Sequence, residues 1–577
     1  MAAYTTSQAG NWSSTSTWDD SGPPGDGDTA TVAHAVTVDT NTTVGTSPAA
    51  GNVVLTCTAD LTIATGVQLT LRGDATLNNC GIIMASGSTL EFDSSQAASP
   101  GDQDYNILVG TDHNQNSAVV DINGTSGSRC TVQSNGSGGQ GYFKNGGYLR
   151  GCAVQADYTD FSYIGNATNP SMRPWISSSA GKQFWLKHCT FDYCGDVGGN
   201  GSATVYNTNE YADYEVEDCN FANGVGSYDL RFGQNAARDS GTWSFQRNAF
   251  GLGPYMYGGS GCTFKDNVIG DSFIRGTGFV PTTFEGNFVY ETGGGPSANY
   301  DMTDCYFLNT DSSNPHPLQS ASEERSVTLD GLVIDVPNGD GQGDAIAGGA
   351  PSSAYTLTIK NCILLPTSDG EMSCTLVSLL GGANLTVSIN HCTSYGQVVV
   401  GETYNSHAGM VSSLKSNIFW GDGVETVYKI HNINGSPNDD VVSAANADYN
   451  CGHEVTAGSE GGGYNTPMTG SPGSNDVDAD PQFVADTRNI MTWDTALGGN
   501  GTTANAVAEL MKLNTTGHDS NYTVSALLTW VKAGFKVQNS NLENAGHDSV
   551  TIGAMGYEAA AETPTGQIVT TVLVDDG

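Results

Sequence analysis

The stretch Phe184-Trp-Leu-Lys-His-Cys-Thr-Phe191 decides the fold, because it returns as Tyr214-Glu-Val-Glu-Asp-Cys-Asn-Phe221 and again as Trp243-Ser-Phe-Gln-Arg-Asn-Ala-Phe250. The pattern occurs ten times between Phe184 and Phe419, centred on Cys189, Cys219, Asn248, Asn267, Asn287, Cys305, Leu332, Cys362, Cys392 and Asn417. In all ten copies the residue three before the centre is apolar and the two just before it are polar or Gly. The residue two after the centre is apolar in nine, with Ser394 the exception. Successive centres lie 30, 29, 19, 20, 18, 27, 30, 30 and 25 residues apart.

Residues two apart in a strand share a face, so apolar–x–apolar buries one side of a short strand. Across the polar pair the inward phase then slips by one residue. A continuous strand cannot slip without turning its apolar set outward, whereas a tight bend can. Each copy therefore reads as strand, corner, strand, with the Cys or Asn pointing inward just past the corner. Repeats of 20 to 30 residues, each too small to bury its own apolar face, imply coils stacked in a solenoid. Equivalent corners stack about 4.8 Å apart. There an inward Asn can satisfy its amide against the Asn of the next coil.

This pattern resembles the right-handed parallel β-helix of pectate lyases, polygalacturonases and many bacteriophage tail spikes, over roughly residues 50 to 450. The expected fold is all-β: a right-handed parallel β-helix solenoid with an N-terminal cap and a small helix-containing C-terminal closing region. The expected boundaries are 1–50 for the cap, 51–450 for the β-helix, 451–557 for the closing region and 558–577 for a tail. Trp12, Trp18 and the Gly22–Asp28 turn cluster suit a cap that covers the first open coil. Ser94–Gln115 reads as a polar loop, and Gly458–Gly473 as Gly-rich loop. Asp478–Phe483 resembles a closing motif found after β-helices, and Asp548–Tyr557 resembles the last strand. Thr503–Leu513 and Thr523–Phe535 have helical spacing and are expected to cover the last coil. The run Gln567–Val574 is β-prone and reads as an inter-subunit strand or a docked tail.

Sixty acidic against 20 basic side chains give a net charge of −40. That opposes nucleic-acid binding, which needs a basic footprint, and docking on anionic membranes. No run of 18 apolar residues indicates membrane insertion. Met1–Thr6 lacks the basic and apolar regions of a secretory signal, so synthesis and folding in a host cytoplasm is the expectation. Thirteen cysteines, an odd number without CxxC, read as free core thiols because Cys189, Cys219, Cys305, Cys362 and Cys392 occupy the inward centre. Cys80 and Cys152 fit the same frame.

The resemblance transfers no catalytic residue. The pectate-lyase WIDH-like and RxPxxR motifs are absent, and of the polygalacturonase set only Asn309-Thr310-Asp311 has a counterpart. Walker A, HExxH and GxSxG patterns are absent too. What remains are carboxylates, since glycoside hydrolysis uses two acids roughly 5 to 9.5 Å apart. Asp266, Glu285 and Asp304 stand at corners of successive coils and are the candidate catalytic acids. Glu210, Tyr211 and Asp213, with Tyr255 and Tyr257, are the candidate carbohydrate contacts. His188 and His391 sit at corners and read as surface residues. No metal ligand set is assigned and no motif calls for a cofactor, a divalent cation on the acidic surface being the one open alternative.

Together with the resemblance, these features imply a virion appendage, a tail spike or fibre on the virion surface. It would contact host-surface polysaccharide as a homotrimer beside other virion proteins. A polysaccharide depolymerase, lyase or hydrolase, on the same rod is the alternative, and a bacterial surface adhesin is a third.

Overall fold

The computed structural model describes residues 2–556, less 21, 46–52, 94–105, 110–117, 135–147, 151–152, 166–171, 174–183, 195–202, 208–212, 224–227, 233–241, 257–260, 271–280, 292–299, 311–317, 322–325, 339–343, 349–353, 368–374, 381–384, 396–398, 403–410, 422–429, 433–445 and 454–473. The described strands form all-parallel ladders of 17, 17, 10 and 5 strands, stacked coil on coil as a parallel β-helix. One coil runs Asp74–Leu77 on a first face, Gly81–Met84 on a second and Thr89–Phe92 on a third. Each strand pairs in parallel with its counterpart one coil on, at Asn106–Val109, Val119–Asn123 and Cys130–Ser134. Asn106–Val109 falls within the expected polar loop; its short apolar run is a first-face rung that the surrounding polar residues obscure.

The bend between the second and third faces is the repeated corner. In all ten copies the residue just before the centre has a left-handed backbone: His188, Asp218, Arg247, Asp266, Gly286, Asp304, Gly331, Asn361, His391 and Ser416, with φ between 51° and 68°. One such residue reverses the in–out phase, which is why the apolar pattern slips there. The centre residue then turns inward and stacks on its counterparts. Asn248 Nδ2 donates to Asn267 Oδ1 (3.1 Å) and Asn267 Nδ2 to Asn287 Oδ1 (2.9 Å). The same oxygens accept the backbone N–H of the preceding coil's centre, at 3.0 Å from both Asn248 and Asn267. Each Nδ2 also reaches a carbonyl, Val216 from Asn248 and Phe245 from Asn267. Two positions on, Phe161, Phe191, Phe221 and Phe250 stack face to face at 4.7, 4.3 and 5.4 Å.

All eleven cysteines among the described residues are buried and free; Cys152 and Cys374 lie outside them. Cys80 is not in the repeated column. It lies at the corner between first and second faces, where its thiol donates to the Cys57 carbonyl at 3.1 Å.

The N-terminal segment already supplies rungs: Ala3–Thr5 pairs with Thr29–Val32, and Gly10–Asn11 with Val36–Val38. Trp12 and Trp18 pack edge-on at 4.8 Å beside these rungs, and both are buried. The C-terminal region departs from expectation more. It contains three helices, α1 (Ile490–Ala496), α2 (Thr503–Leu510) and α3 (Val524–Gly534). Instead of covering the last coil, they lie back along the outside of the third face. Val268, Phe288, Tyr306, Val333 and Ile363, each one residue past a column centre, pack there against Trp493, Leu510, Leu527, Val531 and Phe535. The lobe reaches as far back as Asn220, whose Nδ2 donates to the Met511 and Leu513 carbonyls at 2.8 and 2.7 Å. Between Asn220 and Trp420 it spans eight coil steps, about 38 Å. Asp548–Gly556 is not a strand. Ile552 instead packs on Ile418 and Cys451, and the Ala554 N–H donates to Thr393 Oγ1 at 3.0 Å. Phe483 bridges antiparallel to Val537. The tail 558–577, including Gln567–Val574, lies outside the described residues.

Two outcomes follow from these contacts. Asn267→Ala leaves the Asn248 N–H and the Phe245 carbonyl without partners in a dry column. It is expected to lower stability by about 2–4 kcal/mol in urea or guanidinium unfolding. Under α1, Tyr306 donates to Asp335 at 2.5 Å, and burial pushes Asp335 from 3.8 up to about 6. A carboxyl raised in the folded state stabilises below its unfolded pKa and loses that contribution as pH rises through about 6. The Asp335 contribution to docking of the lobe is therefore fully present below about pH 4 and is lost between about pH 4 and 6. Asp335→Asn flattens this trend, which limited proteolysis of residues 486–535 between pH 4 and 7 will read.

Candidate functional site

The structure brings Asp266, Glu285 and Asp304 to one corner on three successive coils, as their spacing predicts. Asp266 and Asp304 occupy the left-handed position two coils apart, about 10 Å along the axis. Their side chains lean over glycines of the following coil: a Cβ on Gly286 would lie 2.2 Å from Asp266 Oδ1, and one on Gly331 2.4 Å from Asp304 Oδ1. Two of the three acids are ion-paired. Lys265 Nζ donates to Glu285 Oε1 at 3.0 Å, and Lys532 Nζ, from α3, donates to Asp304 Oδ1 at 2.5 Å. Burial raises the pKa of Asp266, with neighbouring Glu285 adding to the rise and Lys265 and Arg247 opposing it. The Lys532 partnership has no trace in the corner motif, because it depends on the fold-back of the lobe.

Asp213 opens a second-face strand and ties two coils, accepting the Thr242 N–H at 2.8 Å. Tyr255 lies on the first face and packs on Tyr228 at 4.7 Å. These two residues are thus on different faces. Glu210, Tyr211 and Tyr257 lie outside the described residues, as does Asp311. Behind Tyr228, Asp229 is wholly buried and accepts the Leu252 N–H at 2.8 Å. Burial pushes its pKa up to about 8, so at neutral pH it is mostly protonated and holds the Leu252 turn.

A different part of the rod carries the features of a binding surface. Before Asn220 no described residue of the lobe packs on the third face, and its outward residues are polar: Asp160 and Ser162, then Thr190 and Asp192 on the next coil. At the far edge of this face stand Tyr163 and Tyr193, four residues past their column centres, Thr159 and Cys189. Their rings are parallel within 2°, 5.4 Å apart, and 43% and 46% exposed. Both have left-handed backbones, with φ of 54° and 50°. Such a conformation costs a side chain with a Cβ roughly 1–2 kcal/mol. Large aromatic rings held out at that cost on adjacent coils are unlike ordinary surface residues. At the opposite edge Tyr158 and His188 stack at 4.1 Å. His188 Nδ1 bonds Asp157 at 2.8 Å, and Arg129 bonds the His188 carbonyl at 2.8 Å.

The polar floor is ordered by its own contacts. Asp160 Oδ1 accepts from Arg129 Nε (2.8 Å) and Thr190 Oγ1 (2.6 Å), and Asp192 Oδ1 from Asn223 Nδ2 (3.0 Å). Asn223 also lines a hollow of about 610 Å³ where α2 ends on the rod. A second hollow, of about 700 Å³, lies between Tyr395, Trp420 and the 480–492 segment, but both rings are almost wholly buried in packing against the lobe. Sequence reading did not single out Tyr163 and Tyr193. Extending the repeat alignment four residues past each centre would have shown them recurring.

Among the described residues no group of three His, Cys, Asp or Glu is placed to hold a metal ion, and no helix is long and apolar enough to cross a membrane. No family model, no curated protein and no solved structure matches this chain.

Proposed function

We propose that this chain is a structural rod that contacts carbohydrate, of the kind that bacteriophages carry as tail spikes or fibres. In this reading it is a homotrimer on the virion surface, beside other virion proteins, and binds host-surface polysaccharide. The observation that carries the reading is the exposed, parallel Tyr163 and Tyr193 pair on adjacent coils. Aromatic faces stack on the C–H faces of sugar rings while neighbouring carboxylates and amides take the hydroxyls, and Asp160, Asp192 and Asn223 supply such groups here. The parallel β-helix and the charge of −40 suit a stiff, soluble appendage.

The depolymerase reading rests on the corner acids. Hydrolysis needs one carboxyl to protonate the leaving oxygen and a second to attack or to activate water. Glu285 and Asp304 are instead engaged by Lys265 and Lys532, which favours binding over cleavage.

The test is binding of the purified protein to host-surface polysaccharide, with its mass in solution measured by light scattering. The Tyr163→Ala/Tyr193→Ala variant is expected to bind about tenfold or more weakly, with unchanged thermal stability. Equal binding by this variant would remove the platform from the function. New reducing or unsaturated ends would move the protein to the depolymerase class, and a monomer near 60 kDa would exclude an autonomous trimer.

A further inference from the structure

The Tyr163–Tyr193 edge does not stop at the second ring. On six consecutive coils, with centres at 159, 189, 219, 248, 267 and 287, the third face ends in Tyr163, Tyr193, Asn223, Gly251, Gly270 and Tyr290, Asn223 standing in register with Asp192, one residue before Tyr193, across a bulge. The first two are the exposed rings. Asn223 bonds Asp192, and from Asn223 to Tyr290 all four line the hollow beside the end of α2. Five coil steps make this a track of about 24 Å parallel to the rod axis. Its middle has small residues for a physical reason. A Cβ on Gly270 would lie 2.7 Å from the Gly251 carbonyl oxygen, so the coils there meet backbone to backbone and leave a recess. The outer wall of the recess is Lys512 and Thr516 of the lobe.

The charge left without an ion-pair partner along the track is negative. Asp192 gives Oδ1 to Asn223, and its Oδ2 has no partner among the described residues. Asp160 lies one coil before Asp192 on the same outward surface. The cation at the recess, Lys512, is held by Glu509 at 2.6 Å. Asp160 is compensated by Arg129 at 2.8 Å, so the uncompensated charge that a glycan carboxylate would meet here is that of Asp192, in a chain of net charge −40.

We infer that this track is a linear glycan-binding site. The sugar chain lies along the rod axis, stacks on Tyr163 and Tyr193, and enters the recess at α2. Its sugars are neutral or amine-bearing and carry no acidic groups. The inference rests on the carbohydrate reading above and adds direction, length and charge class to it. Asp192 Oδ2 accepts a hydroxyl or ammonium proton, Asn223 orients Asp192, and the recess takes a sugar beyond the stacked ones.

Calorimetric titration of the full chain tests it with trimers and hexamers of three kinds: neutral glucans and mannans, chitosan oligosaccharides, and oligogalacturonates. The neutral or amine-bearing hexamer is expected to bind about tenfold tighter than its trimer, and oligogalacturonate at least tenfold more weakly. Thr516→Trp, at an exposed position on the lobe, fills the recess. It is expected to abolish the gain of hexamer over trimer while leaving the trimer unchanged. Asp192→Asn, which leaves the recess open, is expected to narrow the discrimination against oligogalacturonate. A hexamer gain that survives in Thr516→Trp overturns the axial track. Oligogalacturonate binding as tight as the neutral oligomers overturns the charge class. If no oligosaccharide of any kind binds, the carbohydrate reading itself falls.

Discussion

One backbone torsion per coil holds the repeated part of this structure together. At each of its ten second-to-third-face corners a single residue with φ between 51° and 68° turns the chain and reverses which side chains face inward. Eight of the ten residues that do this in the repeat are not glycine, the exceptions being Gly286 and Gly331, so each coil carries a small local strain. The column just inside the corner offsets that strain. Its cysteines are small buried hydrophobes, and its asparagines bind both the backbone and each other. A second Asn run, Asn417 on Asn450, closes onto Asp476, which accepts the Asn450 N–H at 2.8 Å. The core stays in register because a slip of one residue would break every one of these pairings.

The lobe divides the third face into two surfaces with different chemistry. One residue past the column, the outward series reads Asp160, Thr190 and Asn220, then Ala249, Val268, Phe288, Tyr306, Val333 and Ile363. The change from polar to apolar falls where α2 ends on the rod. The candidate binding track straddles this boundary: its rings stand on the bare part and its recess lies against the lobe. The fold thus generates the site at a seam between a uniform solenoid and an added domain, where a repeat alone would offer only shallow corrugation.

Much of this was legible in the sequence. The slip of inward phase across Lys187–His188 and its nine counterparts specifies a corner, and ten corners specify stacked coils. The Asn column followed from burial of an amide next to its own copy. Periodicity also marked two helices, and the structure adds their caps, Thr502 and Thr523 each accepting a backbone N–H at the start of α2 and α3. What the repeat could not give was where those helices go. Their destination is written in the apolar outward series from Val268 to Ile363, a set that looks like scatter until the column is used as the origin. The ion pair of Asp304 with Lys532 joins residues 228 positions apart and has no local motif. Tyr163 and Tyr193 escaped notice because each alone is an unremarkable surface tyrosine; only their equal offset from Thr159 and Cys189 makes them a pair.

The fold-back of the lobe also sets a clock. Stacked coils ordinarily depend only on their neighbours and can form one after another as a chain grows. Here the coils from Asn220 onward expose Val268, Phe288, Tyr306 and Val333 on their outer side until α1–α3 have been made and docked. About 315 residues separate Asn220 from Phe535, which at a usual synthesis rate is on the order of tens of seconds. During that interval the outer side of the third face is finished near Tyr163 and Tyr193 but exposes apolar side chains from Val268 onward. Nearest-neighbour growth therefore gives way to a late, all-at-once closure that joins nine coils into one cooperative unit.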